Sequence, residues 1–113
     1  MKTKYMGIGV ILLLIGVVAF SGCTQNQQNV PPNTVYIQNF AFSPNNLTVK
    51  TGATVTWVNK DSTTHTVTSD NGAFTSSSNL NPGSNYTFTF TKAGTYPYHC
   101  SIHPEMKGTI VVQ

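Results

Sequence analysis

From Thr34 onward, apolar side chains recur at every second position in short runs, and no stretch of useful length carries the 3.6-residue spacing of a helix. The cleanest run sets Tyr86, Phe88 and Phe90 against Thr87, Thr89 and Thr91. Val35 with Ile37, Leu47 with Val49, and Ala53 with Val55 and Trp57 repeat the pattern, as do Tyr96, Tyr98 and Cys100. Strands with one apolar face bury it only by packing one sheet on another. Turn residues separate the runs at Ser43-Pro44-Asn45-Asn46, Thr51-Gly52, Asp61-Ser62-Thr63, Asn81-Pro82-Gly83 and Lys92-Ala93-Gly94. About seven or eight short strands at roughly 8–12-residue spacing predict an all-β sandwich.

Three local expectations follow. Phe40 and Phe42 fall on the opposite parity from Val35 and Ile37, which predicts a break near Gln38-Asn39. His65 and Val67 are expected on one face of a strand, opposite Thr64, Thr66 and Thr68, with residues 69–81 as a long connection after it. Cys100 shares parity with Tyr96 and Tyr98 and so faces the core, while His99 faces away.

The N-terminus has a different character. Lys2 and Lys4 precede an apolar run from Met6 to Phe20, followed by Ser21-Gly22-Cys23. The run is about 15 residues, shorter than the roughly 20 of a spanning helix, and reads as an export signal. Small residues before Cys23 look like a lipoprotein box that would make Cys23 the lipidated first residue; the alternative is an uncleaved N-terminal anchor. Both place the domain outside the cytoplasm and tethered to a membrane. Residues 24–33 are rich in Gln, Asn and Pro and read as a flexible tether. The expected organisation is therefore signal or anchor over 1–22, lipidated Cys and tether over 23–33, and one domain over 34–113. A disulfide between Cys23 and Cys100 is disfavoured, because it would tie the tether onto the domain.

Of six Lys, two lie in the signal, and there is no Arg. Nothing resembles the basic stripe of a nucleic-acid-binding protein. The weakly charged remainder implies partner docking by shape and apolar contact rather than long-range steering. A monomer is the default for a domain this small.

The chemistry is concentrated in Tyr98-His99-Cys100-Ser101-Ile102-His103-Pro104-Glu105-Met106-Lys107-Gly108. Cys100, His103 and Met106 put a thiol, an imidazole and a thioether at i, i+3 and i+6 of one short loop. A thiolate and a neutral imidazole are strong ligands for copper or zinc, whereas the soft, weak thioether favours copper. One more imidazole would complete a trigonal His₂Cys site with an axial Met, and His65 is the best candidate. Taken singly, each residue has a plain packing role available; taken together they require four coincidences.

With Ala53-Thr54-Val55-Thr56-Trp57-Val58-Asn59 and Phe88-Thr89-Phe90-Thr91-Lys92-Ala93-Gly94-Thr95-Tyr96 before it, this loop resembles the small blue copper proteins (cupredoxins) of the plastocyanin and amicyanin kind. Its short Cys-x-x-His-x-x-Met form is most similar to amicyanin. The resemblance implies a Greek-key sandwich with one type 1 copper, His65, Cys100 and His103 as equatorial ligands and Met106 as the axial one. It also implies single-electron transfer, with His103 at a surface where Ile102, Pro104 and Pro44 would meet redox partners. Thr66 stands where the family usually has an Asn that braces the ligand loops, and Thr64 where amicyanin-like sequences often have Pro. The resemblance thus predicts a less rigid site.

An enzyme is not expected. The only His residues are His65, His99 and His103, too few for a multicopper centre, and the single loop Cys excludes a dinuclear one. The remaining alternative is an extracytoplasmic copper carrier or storage module using the same ligands. Zinc is a poorer fit, because Met is not among its usual ligands.

Overall fold

The computed structural model describes residues 30–113, all without helix. The expected export segment and Cys23 lie outside the described residues. Eight strands follow in order: β1 (Thr34–Gln38), β2 (Ala41–Ser43), β3 (Asn46–Val49), β4 (Thr54–Asn59), β5 (Thr68–Ser69), β6 (Asn85–Thr89), β7 (Gly94–His99) and β8 (Lys107–Val112). They form two four-stranded sheets, ordered β2-β1-β4-β6 and β3-β8-β7-β5. The β1–β4 and β3–β8 pairs are parallel and the others antiparallel. Each such parallel pair joins strands distant in sequence, so chain order and spatial order differ as in a Greek key.

The alternation anticipated from the sequence faces inward. Val35, Ile37, Val55, Trp57, Tyr98, Cys100 and Ile110 are wholly buried between the sheets. Trp57 anchors this layer, with Phe74 stacked on it at 6.1 Å and Tyr98 edge-on at 5.6 Å. Phe74 comes from the long connection, so the loop between β5 and β6 plugs the sandwich with its one aromatic side chain, with Leu80 of the same loop also buried. Gly108 lies opposite Tyr98 in the β7–β8 register. The Tyr98 ring crosses that position: a Cβ there would come within 2.8 Å of Cε1, and closer still to Cζ and the hydroxyl. Gly108 is required for close approach.

The parity break is a two-residue turn. Gln38 pairs with Ala41, and Asn39 and Phe40 between them both have left-handed φ, 56° and 55°. This is the backbone of a primed hairpin turn, for which Asn-Gly is the favoured pair. A Phe in that conformation costs roughly 1–2 kcal/mol.

The predicted strand around His65 is mostly irregular. His65 makes a single antiparallel bridge to Leu80, and the regular strand is confined to Thr68–Ser69. The backbone groups there are committed elsewhere: Thr66 N–H points at Cys100 Sγ (3.4 Å), and Val67 N–H donates to the Ser77 hydroxyl (2.9 Å). A segment whose N–H groups serve a thiol and a side chain has none left for a ladder.

Candidate metal centre

Cys100 directly follows β7, where strand parity turns its thiol into the core. The next residues form a tight loop closed by its own backbone: Met106 N–H donates to His103 O (2.9 Å), and Cys100 N–H to Met106 O (3.1 Å). That closure brings Cys100 and His103 together before any metal is considered. His65 arrives from the other side of the sequence, held by the reciprocal backbone bonds of its bridge to Leu80, 3.1 and 2.8 Å.

The three donors converge. Cys100 Sγ lies 3.7 Å from His65 Nδ1 and 3.7 Å from His103 Nδ1. All three ligand atoms lie within 4.8 Å of one another. A metal bound about 2.3 Å from sulfur and 2.0–2.1 Å from nitrogen, at trigonal to tetrahedral angles, separates the two donors by about 3.5–3.8 Å. The observed spacing fits one small ion. Cys100 and His65 are wholly buried, and His103 is half-buried. Met106 is buried too, at 3% exposure. Thiolate, two imidazoles and a thioether as the soft fourth group suit copper better than zinc.

The imidazole of His65 is oriented from behind. Its Nε2 lies 2.8 Å from Asp61 Oδ2. An ionised carboxylate only accepts, so Nε2 carries the proton and Nδ1 keeps a lone pair toward Cys100. Burial alone would raise the Asp61 pKa, but N–H donation from Phe40 and Asn39, and then from His65, outweighs it and holds the carboxyl below its ordinary value. Asn59, wholly buried at the end of β4, shapes the same turn. Its amide donates to Thr63 O (2.9 Å) and Leu80 O (2.8 Å), and its Oδ1 accepts from Asp61 N–H (2.9 Å).

The brace between the ligand segments is present despite the Thr. Thr66 Oγ1 accepts from Ser101 N–H at 2.8 Å and shares hydrogen bonds with the hydroxyls of Ser101 (3.1 Å) and Thr68 (2.9 Å). The short Thr side chain reaches because the two segments approach closely at this point. His99 turns away from the cluster, as parity predicts, and its Nδ1 meets Asp70 Oδ1 at 2.5 Å.

Of the surface residues anticipated near His103, Ile102 is 46% exposed and Pro104 is exposed, whereas Pro44 is only partly so. Sequence reading missed Phe40, 49% exposed, whose ring meets His65 at 5.2 Å and His103 at 5.0 Å, both edge-on. It also treated Asp61 merely as a turn residue and assigned Asn59 no role. The Asp-x-x-x-His spacing was the available signal for Asp61; nothing in the sequence points to Phe40.

Among the described residues, fold and site together define a small β-sandwich with one largely buried His-Cys-His cluster at the end of the sandwich where the Cys100–Met106 loop lies. The chain belongs to the cupredoxins: the model of the cupredoxin-like domain family matches residues 10–112. It is 39% identical over 83 residues to amicyanin of Paracoccus denitrificans, an overlap covering 70% of this chain and 63% of that protein. It is 42% identical over 84 residues to plastocyanin of Scenedesmus fuscus, covering 64% of this chain and 86% of that one. Among solved structures, it is similar to a purple cupredoxin from Nitrosopumilus maritimus, with a TM-score of 0.65, 33% identity, and 71% of this chain and 98% of that chain covered. An amicyanin variant in its Cu(I) form gives a TM-score of 0.68 at 36% identity, over 71% of this chain and 80% of that chain.

Proposed function

We propose that this protein is a single-electron carrier with one type 1 copper, and that it is an electron-transfer protein rather than an enzyme. The residues that would hold the copper are His65 through Nδ1, Cys100 through Sγ and His103 through Nδ1, with the Met106 thioether as a weak fourth ligand. The observation that carries this reading is the pair of equal 3.7 Å Sγ–Nδ1 distances around a wholly buried thiol. Copper would supply the one-electron cycle between Cu(I) and Cu(II). The chain's part is to keep the donors still: Asp61 fixes the tautomer of His65, Thr66 ties the two ligand segments, and the backbone bonds within the ligand loop close it. Donors that need not move between oxidation states leave little reorganisation to slow the transfer.

The exposed Ile102 and Pro104 beside the half-buried His103 support apolar docking of redox partners there. The cell-envelope location, on the outer face of the cytoplasmic membrane, follows from the sequence of residues 1–23, through a lipid on Cys23 or an N-terminal anchor. A copper carrier or storage role is the second reading; it is disfavoured by the burial of His65 and Cys100, since cargo transfer requires ligand exchange with a partner.

The test is the visible and EPR spectrum of the full chain after adding Cu(II), followed by voltammetry. We expect an intense thiolate-to-copper band, its loss in Cys100→Ala, and reversible one-electron cycling with copper retained. A colourless product would refute the site. Copper that is released to a chelator on each reduction would favour the carrier reading.

A further inference from the structure

The Asn39-Phe40 turn is built against its own local preference. Both residues are left-handed, and Gly would serve the second position without strain, yet that position holds one of the two exposed large apolar side chains among the described residues. The ring is not idle at the surface: it sits edge-on to both His65 and His103, whose own rings are 5.0 Å apart. The strained turn has a dedicated holder. Asn39 N–H donates to Asp61 Oδ1 (2.7 Å) and Phe40 N–H to Asp61 Oδ2 (3.0 Å). The same Oδ2 accepts from His65 Nε2. One carboxylate therefore grips both the base of the Phe40 ring and one of the rings it lies against.

We propose that Phe40 is a cover over the imidazole pair, latched by Asp61, and that it limits how readily solutes reach the buried donors. A residue from the β1–β2 turn would thus govern metal retention in a centre whose four proposed ligands lie in other segments. The retention half of this proposal rests on the copper reading above; the shielding half does not.

Phe40→Gly is the discriminating variant, because it removes the ring while supplying the residue the turn prefers. Two rates are measured on the full chain. In the metal-free protein, carbamidomethylation of Cys100 by iodoacetamide is followed by peptide mass spectrometry, which separates it from Cys23. In the copper-loaded protein, bleaching of the thiolate band by excess EDTA is followed in time. We expect both to rise about tenfold in Phe40→Gly, the scale of two lost edge-on aromatic contacts, with the thermal midpoint unchanged or higher. Phe40→Tyr should keep wild-type rates. Asp61→Ala should speed both reactions and add little when combined with Phe40→Gly.

Rates in Phe40→Gly within twofold of wild type would overturn the cover, and wild-type rates in a folded Asp61→Ala would overturn the latch. Should wild type fail to hold copper, the copper reading falls, while the Cys100 labelling still decides whether Phe40 shields.

Discussion

Gly108→Ala tests the packing that joins the core to the ligand loop. The added Cβ would stand 2.8 Å from Tyr98 Cε1 and nearer to two other ring-end atoms, where carbon contacts settle at about 3.5–4.0 Å. The ring must therefore retreat by about 1 Å or more. It has nowhere to go: Tyr98 is wholly buried, with Phe42 at 4.7 Å and Trp57 at 5.6 Å. Overpacking of this kind costs about 1–3 kcal/mol, and the clash with a rigid ring puts this case at about 3. Removing a strand Gly returns roughly 0.5–1 kcal/mol, leaving a net loss of about 2–2.5. For a domain of this size that lowers the thermal midpoint by roughly 10–20 °C. The assay is thermal unfolding of the metal-free chain by near-ultraviolet circular dichroism, in Gly108→Ala, Tyr98→Leu and the double variant. The double should be less unstable than the sum, because the shorter side chain makes room for the methyl. A single-variant loss below about 0.5 kcal/mol would refute the ring-over-glycine contact.

Three further expectations concern the site and its surroundings. Thr66→Val removes the acceptor for Ser101 N–H and should cost about 1–2 kcal/mol in denaturant unfolding while the thiolate band persists; unchanged stability would show that the hydroxyl is not the brace. Burial pushes the Tyr98 phenol well above its ordinary value of 10, the neighbouring Trp57 N–H pulling only weakly the other way, and its hydroxyl lacks a hydrogen-bond partner. The unfolded chain then releases a proton above about pH 10 that the folded chain retains, so stability should fall as pH rises past 10, and Tyr98→Phe should flatten that fall without loss at pH 7. An equally steep fall in Tyr98→Phe would contradict this. Ile102→Glu should slow electron self-exchange between oxidised and reduced protein about tenfold by NMR line broadening, the band unchanged, since like charges would face each other across an apolar contact; an unaltered rate would remove Ile102 from the docking surface.

Much of the architecture was legible because strands report their environment every second residue. The parity of Tyr96, Tyr98 and Cys100 put the thiol inside and His99 outside, and the turn residues marked most of the strand ends. His65 was found by its chemistry, since the loop's donor set lacked one imidazole. The local structure around it was misread, because alternating Thr, His and Val looks the same in a strand as in a segment whose N–H groups are committed to a thiol and a serine.

The sequence by itself determined the sandwich, the donor types and the grouping of a thiol, an imidazole and a thioether in one short loop, since period-2 burial and donor softness are properties of residues in order. Only the tertiary structure decided which side chains support the ligands. Asp61, Asn59 and Thr66 act across turns and between segments, through hydrogen bonds whose partners only the folded backbone brings within reach. Phe40 is the extreme case: a parity break in the sequence, it becomes a shield over two imidazoles because a carboxylate from another turn holds its backbone in a conformation that Phe disfavours.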